Sequence, residues 1–191
     1  MSWLRRRIAE VQVAFMLLTR LPASRLGVNA PELAAAKWAF PLAGLIVGGS
    51  LAGVYITMNS LGLPTSLASI LAIGVGVLMT GGLHEDGLAD CADGFGGGQT
   101  KDQKLAIMKD SRVGSYGVLA LILVILARIM ALAALPATAQ SLILLISLAM
   151  VSRLMMVVYL NCLPSARAEG LGHQAGKGGG LSVVVAAGLC V

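Results

Sequence analysis

The chain has 191 residues, 57% of them hydrophobic and only 12% charged, with a mean hydropathy of +0.86. A soluble domain carries roughly 25% charged residues, so an ordinary soluble globular fold is excluded. The net charge of +5 collects in the connections between apolar runs rather than on one basic face, which points to membrane lipid and not to nucleic acid as the surrounding partner.

In chain order, the first element is an amphipathic helix over residues 3–21. Leu4, Ile8, Val11, Phe15 and Leu18 recur at helical spacing, while Arg7, Glu10 and Arg20 fall away from that stripe. Glu10, Gln12 and Arg20 leave no apolar stretch long enough for a secretory signal, and Pro22 ends the helix. Such a helix lies in the membrane interface or packs on the bundle. Four apolar runs follow, over residues 40–58, 66–83, 118–135 and 141–160. Each reaches the roughly 18–20 residues that a helix needs to cross the bilayer core. The runs do not alternate, so a β-barrel is excluded. A fifth run, residues 181–191, is too short to span, and reads as a half-buried tail or a partial fifth span in a C-terminally truncated chain. The fold class is therefore all-α: a polytopic helical membrane protein forming one integral membrane domain.

Arg5, Arg6 and Arg7 precede the first span. Lys101, Lys104, Lys109 and Arg112 lie between the second and third, and Arg167 and Lys177 follow the fourth. The two remaining connections, 59–65 and 136–140, are uncharged. The positive-inside rule then places the N-terminus, the connection 84–117 and the segment after the fourth span in the cytoplasm. Cys91, Cys162 and Cys190 include no C-x-x-C pair and read as small packing residues. Arg128 and Arg153 sit inside the third and fourth spans. A mid-bilayer arginine costs roughly 2.5–3.5 kcal/mol, so each is expected to face a partner or a polar cavity.

The connection 84–117 is the chemically distinctive stretch. Six of the nine carboxylates in the chain lie between Glu85 and Asp110, beginning in His84–Gly94, HEDGLADCADG. On a continuing helix, Asp86, Asp90 and Asp93 fall within a ~60° arc, and Glu85 points roughly 100° away. Three like charges on one stripe repel, and a cation between them removes the conflict. All-oxygen ligands favour Mg²⁺, Ca²⁺ or Mn²⁺ over zinc, and Mg²⁺ is usually held by one or two carboxylates together with substrate phosphates. The competing reading is a solvated acidic helix end, against which the small or apolar Leu88, Ala89, Cys91 and Ala92 argue.

The run Gly94–Gly98 is expected to be too flexible to continue a helix. It can act as a linker or bring backbone N–H groups to a phosphate, although it lacks the P-loop order. Thr100 to Gln103 reads as a capping box opening a short helix through Asp110. Asp110 is a candidate fourth metal ligand. Lys109 and Arg112 are candidates for an anionic substrate, or else cations snorkelling to the interface. His84 is either a substrate contact or a satisfied interface histidine.

The segments HEDGLADCADGFGGG and KLAIMKDSRVGSYGVLAL, with FMLLTRLPAS, FPLAGLIVG and SRLMMVVYLNCLPSARAEGLG, closely resemble the signature of the cobalamin synthase family, adenosylcobinamide-GDP ribazoletransferases. The resemblance covers most of the chain. It implies a Mg²⁺-dependent transferase of the bacterial or archaeal inner membrane that joins α-ribazole, or its 5′-phosphate, to adenosylcobinamide-GDP with release of GMP. These are the last steps of cobalamin formation. Members of the family usually carry further membrane helices after the A-R-x-E-G-L-G segment. On this footing Asp86, Asp90 and Asp93 are expected as metal ligands and catalytic carboxylates, with Asp93 favoured as the base. His84, Lys109, Arg112, Arg167 and Glu169 are expected to bind substrate. The competing functions are another Mg²⁺-dependent membrane phosphotransferase of the CDP-alcohol type and a divalent-cation transporter. The first has its D-G-x-x-A-R start only half met, and the second expects acids within the spans rather than in a connection.

Overall fold

The computed structural model describes residues 2–22, 30–176 and 180–190. Lys177, used above for topology, and Val191, at the end of the fifth apolar run, lie outside the described residues. The described residues form ten α-helices and one 3₁₀ turn, with no strand among them. Three of the helical stretches, Leu33–Ser60, Ser115–Ala133 and Ala139–Cys162, are long and apolar enough to cross a membrane. A bent pair, Thr65–Thr80 with Leu83–Gly97, makes a fourth if counted as one span. The chain divides into two compact units, residues 1–53 with 138–191, and residues 54–137.

In the first unit, α1 (Trp3–Leu18) is followed by α2 (Leu33–Ala36), a 3₁₀ turn (Lys37–Ala39) and the start of α3 (Phe40–Ser60). The unit is completed by α8 (Ala139–Cys162), α9 (Leu171–Gly176) and α10 (Leu181–Gly188). Its core gathers Ala14, Leu18, Ala39, Phe40, Ala43, Val157 and Ala186. The eight residues of α10 are far fewer than a span requires.

The face that α1 buries is the expected one only in part. Leu18 is buried and Val11 packs on the core, but Ala9, Glu10 and Ala14 are buried too, whereas Leu4 and Ile8 of the expected stripe are exposed. The shift follows from Glu10. Its carboxylate accepts bonds from the Trp38 indole N–H (2.7 Å), Arg7 (2.7 Å) and Arg6 (3.2 Å), and those three donors satisfy the buried charge. Lys37 is also fully buried, its ammonium donating to the Asn161 side-chain oxygen at 3.1 Å.

Helices α3 and α8 run antiparallel at very close range. A Cβ on Gly44 would come within 2.6 Å of the Ala149 carbonyl oxygen and 2.8 Å of Met150 Cα. On Gly48 it would meet Ala149 Cβ at 2.7 Å. Small residues four apart let two membrane helices approach backbone to backbone, where dispersion replaces the absent hydrophobic drive. Gly44→Val is therefore expected to push the helices apart and lower the thermal midpoint of the purified protein by several degrees. Gly53→Val, where nothing lies within 4 Å of the added Cβ, is the control that should leave it in place.

The second unit holds the end of α3, then α4 (Thr65–Thr80), α5 (Leu83–Gly97), α6 (Lys101–Ile107) and α7 (Ser115–Ala133). Tyr55 donates its hydroxyl to the Leu135 carbonyl at 2.6 Å, tying the end of α3 to the end of α7. The expected second span, 66–83, is cut short at Thr80. Gly81 and Gly82 both adopt left-handed backbone (φ +66° and +72°), and two such residues in succession cannot propagate a right-handed helix. The chain bends by 88° between α4 and α5.

The expected loop over 84–117 is consequently two helices, two short connections and the start of α7. The glycine run does not break α5, which continues to Gly97. Close packing explains why glycine is used there. A Cβ on Gly94 would lie 2.6 Å from the Met108 side chain, and one on Gly96 would lie 2.5 Å from the Tyr116 ring. The Gly98 N–H donates to the Gly94 carbonyl, so it is not directed at a phosphate. The capping box on α6 is present: Thr100 Oγ1 accepts from the Gln103 N–H at 3.3 Å, and Gln103 Oε1 accepts from the Thr100 N–H at 3.1 Å. That helix ends at Ile107, short of Asp110.

Candidate active site

The acidic helix α5 lies along α7, antiparallel to it and anchored at both ends. At its C-terminal end Asp93 is 9% exposed, and its two carboxylate oxygens accept the backbone N–H groups of Gly114 (2.7 Å) and Gly117 (2.8 Å). The first turn of any α-helix leaves N–H groups without partners, and its dipole favours a negative charge. Gly114 occupies the N-cap position of α7 and has no side chain to serve them, so Asp93 caps α7 from a different helix. Glycine is required at both contacts, because a Cβ on Gly114 or Gly117 would run into the Asp93 carboxylate.

At the N-terminal end, Glu85 Oε1 accepts a bond from Arg128 at 2.8 Å. Arg128 therefore has the partner that an arginine inside a span requires. The two anchors agree in length. Glu85 and Asp93 are separated by about 12 Å of helix rise, and Gly117 and Arg128 by about 16 Å, a difference that the long Glu85 and Arg128 side chains bridge. The acid-bearing helix thus runs beside the apolar length of α7.

Helix phase distributes the acids. Glu85, Ala89 and Asp93 turn toward α7, whereas Asp86 and Asp90, at i and i+4, occupy the adjoining flank. Asp86 is exposed and Asp90 half-buried. The expected four-carboxylate set does not come together as a shell. Asp93 is committed to the α7 backbone, and among the described residues no group of three or more His, Cys, Asp or Glu side chains stands ready to hold a metal. Asp86 and Asp90 lie one turn apart on α5, and carboxylate oxygens are the donors that a hard divalent cation takes alongside substrate phosphates and water.

Asp110 and Arg112, read as metal ligand and anion binder, engage each other. Arg112 donates Nη2 at 2.6 Å to one carboxylate oxygen, and its Nε (3.0 Å) and backbone N–H (3.0 Å) to the other. Those hydrogen bonds, followed by the guanidinium charge, lower the Asp110 carboxyl to about 2. A carboxyl depressed in the folded protein contributes above its ordinary value and stops contributing as pH falls through the lowered one. The pair should hold at pH 4 and open near pH 2. Carboxyl-carbon NMR of Asp110 is expected to titrate near 2, and Arg112→Gln should return it to the ordinary carboxylate range.

Lys109 is exposed, and Lys104 lies over the Phe95 ring at 4.9 Å from its centroid. His84 is half-buried in the first turn of α5. Arg167 and Glu169 belong to the other compact unit, in the segment between α8 and α9, where the Arg167 carbonyl accepts from the Ser165 hydroxyl at 2.7 Å. Arg153, in the same unit, donates to the Ser152 hydroxyl at 2.9 Å. The cysteines are free, with Cys91 and Cys162 exposed. Two features escaped the sequence reading: the Glu85–Arg128 pair and the cap from Asp93 to α7. Each had a signal, one in a charged residue within a span and the other in an N-cap position filled by glycine.

A family model described as cobalamin-5-phosphate synthase matches residues 10–191. The adenosylcobinamide-GDP ribazoletransferase of Bradyrhizobium diazoefficiens is 43% identical over 187 residues, covering 96% of this chain and 71% of that protein. Those of Mesorhizobium japonicum and Azorhizobium caulinodans are 43% and 42% identical, over 90% and 91% of this chain and 66% and 68% of theirs. The chain therefore spans about two thirds of the length of these relatives. No solved structure matches it.

Proposed function

The chain belongs to the cobalamin-5-phosphate synthase family, and from that membership we propose that it joins α-ribazole, or its 5′-phosphate, to adenosylcobinamide-GDP with release of GMP. The observation that carries this to particular residues is the flank of α5, where Asp86 and Asp90 stand together while Asp93 and Glu85 fasten the helix to α7.

In the proposed reaction the ribazole 5′-oxygen bonds to the phosphorus nearer cobinamide. The bond from that phosphorus to the bridging oxygen breaks, and GMP leaves with that oxygen. Asp86 and Asp90 would hold Mg²⁺, which would supply positive charge for the phosphate oxygens. The hydroxyl proton goes to a carboxylate oxygen of exposed Asp86 that the ion would leave open, since both Asp93 oxygens already accept bonds from α7. Lys109 lies exposed on the same connection and supplies positive charge for the nucleotide, while Arg112 stays paired with Asp110. We assign the acidic helix and the N-terminus to the cytoplasmic side of a prokaryotic inner membrane, which the basic residues around them support.

The test is to reconstitute the chain in lipid nanodiscs with Mg²⁺, adenosylcobinamide-GDP and α-ribazole, and to follow the corrinoid by chromatography. Formation of adenosylcobalamin that depends on α-ribazole is the expected result. An unchanged corrinoid with folded protein would refute the proposal.

A further inference from the structure

The Glu85–Arg128 pair has no part in the chemistry just described, yet it sits in the first turn of α5, directly after the 88° bend from α4. Gly81 and Gly82 form the turn that precedes it, closed by their N–H groups donating to the Leu78 and Val77 carbonyls. At the opposite end α5 is held by Asp93 and by close packing on Gly117, where an added Cβ would lie 3.1 Å from the Ala89 carbonyl. At the N-terminal end the ion pair ties α5 to α7. The residue beside Glu85 is Asp86.

We propose that Glu85 and Arg128 are positioning residues: their ion pair fixes the N-terminal end of α5 against α7 and so sets the direction in which Asp86 and Asp90 meet the substrate. This rests on reading Asp86 and Asp90 as the reacting carboxylates. The burial of the pair agrees with a mechanical role. The Glu85 side chain is only 16% exposed, and its second oxygen is buried with no hydrogen-bond partner. A carboxylate held through one oxygen, with the other buried beside it, depends on its arginine to stay charged in that place. Arg128 also offsets a third negative charge next to the reactive pair, which would otherwise add to the repulsion between Asp86 and Asp90.

The test uses the whole chain in nanodiscs with four variants: Glu85→Gln, Arg128→Met, Arg128→Lys and the exchange Glu85→Arg with Arg128→Glu. GMP release is measured against adenosylcobinamide-GDP concentration. Glu85→Gln and Arg128→Met are expected to lower kcat at least tenfold with KM changed less than twofold. Arg128→Lys should stay within threefold of the parent, and the exchange should recover most of the loss, so the proposal does not depend on a variant that fails to fold. Wild-type kcat in Arg128→Met, or an exchange no better than the single variants, would overturn it.

A second readout separates this proposal from the function on which it rests. In a Cys162→Ser, Cys190→Ser background, the exposed Cys91 reports the placement of α5 through its rate of maleimide labelling. If the parent releases no GMP, the functional reading fails. The positioning role then stands if Arg128→Met changes the labelling rate at least threefold and the exchange restores it. It falls if the rate is unchanged.

Discussion

Asp93→Ala and Asp93→Asn are both expected to destabilise the second unit by about 2–4 kcal/mol, with loss of activity as a consequence of unfolding rather than of lost chemistry. The estimate follows from what the carboxylate does. It accepts two short N–H bonds, at 2.7 and 2.8 Å, while 9% exposed. Hydrogen bonds to a charged acceptor contribute about 1.5–3 kcal/mol, and a lost helix cap costs about 0.5–2 kcal/mol. Alanine strands both donors at the start of α7. Asparagine restores one acceptor but turns its own NH₂ toward the other donor, so it does not rescue. Were Asp93 instead an exposed base, asparagine would leave stability alone and remove only turnover. Thermal unfolding of the purified variants distinguishes the two.

Asp86→Asn should behave in the opposite way. It and Asp90→Asn are each expected to cut GMP release at least ~1000-fold at any Mg²⁺ concentration, the scale of losing a main electrostatic or proton-accepting group. The stability of Asp86→Asn should be unchanged or slightly higher. Asp86 is exposed, and removing one of two like charges at i and i+4 relieves a repulsion of about 0.2–0.5 kcal/mol. Loss of function without loss of fold at Asp86, and the converse at Asp93, would divide the aspartate stripe into reacting and structural members.

That division marks the limit of what the sequence conveys. Periodicity located the helices and the long apolar runs because both depend on neighbouring residues. The capping box at Thr100 was legible for the same reason. The phase of Asp86, Asp90 and Asp93 was also readable, since a helix of ~100° per residue fixes it. What each aspartate faces was not readable, because it depends on where α5 lies. The double left-handed turn at Gly81 and Gly82 redirects the chain, and α5 then packs along α7, bringing Glu85 to Arg128 across 43 positions. Spacing set Glu85 aside as pointing away from the other acids. The structure turns that same difference in direction into its contact with α7. Gly94–Gly98 misled for a related reason: glycine reads as freedom in a sequence, whereas Gly94 and Gly96 here provide clearance for Met108 and Tyr116. On α1, burial of Glu10 depended on the indole N–H of Trp38, 28 residues away, and no local pattern announces such a partner.

In the proposed reaction Asp86 and Asp90 are the carboxylates that act on the pyrophosphate of adenosylcobinamide-GDP. The most direct measurement is GMP release by the parent chain and by Asp86→Asn in matched nanodiscs with Mg²⁺ and α-ribazole, with thermal midpoints recorded on the same samples. The expected result is α-ribazole-dependent GMP release from the parent and none above background from Asp86→Asn, at equal midpoints. Parent-level release from a folded Asp86→Asn would remove Asp86 from the reaction.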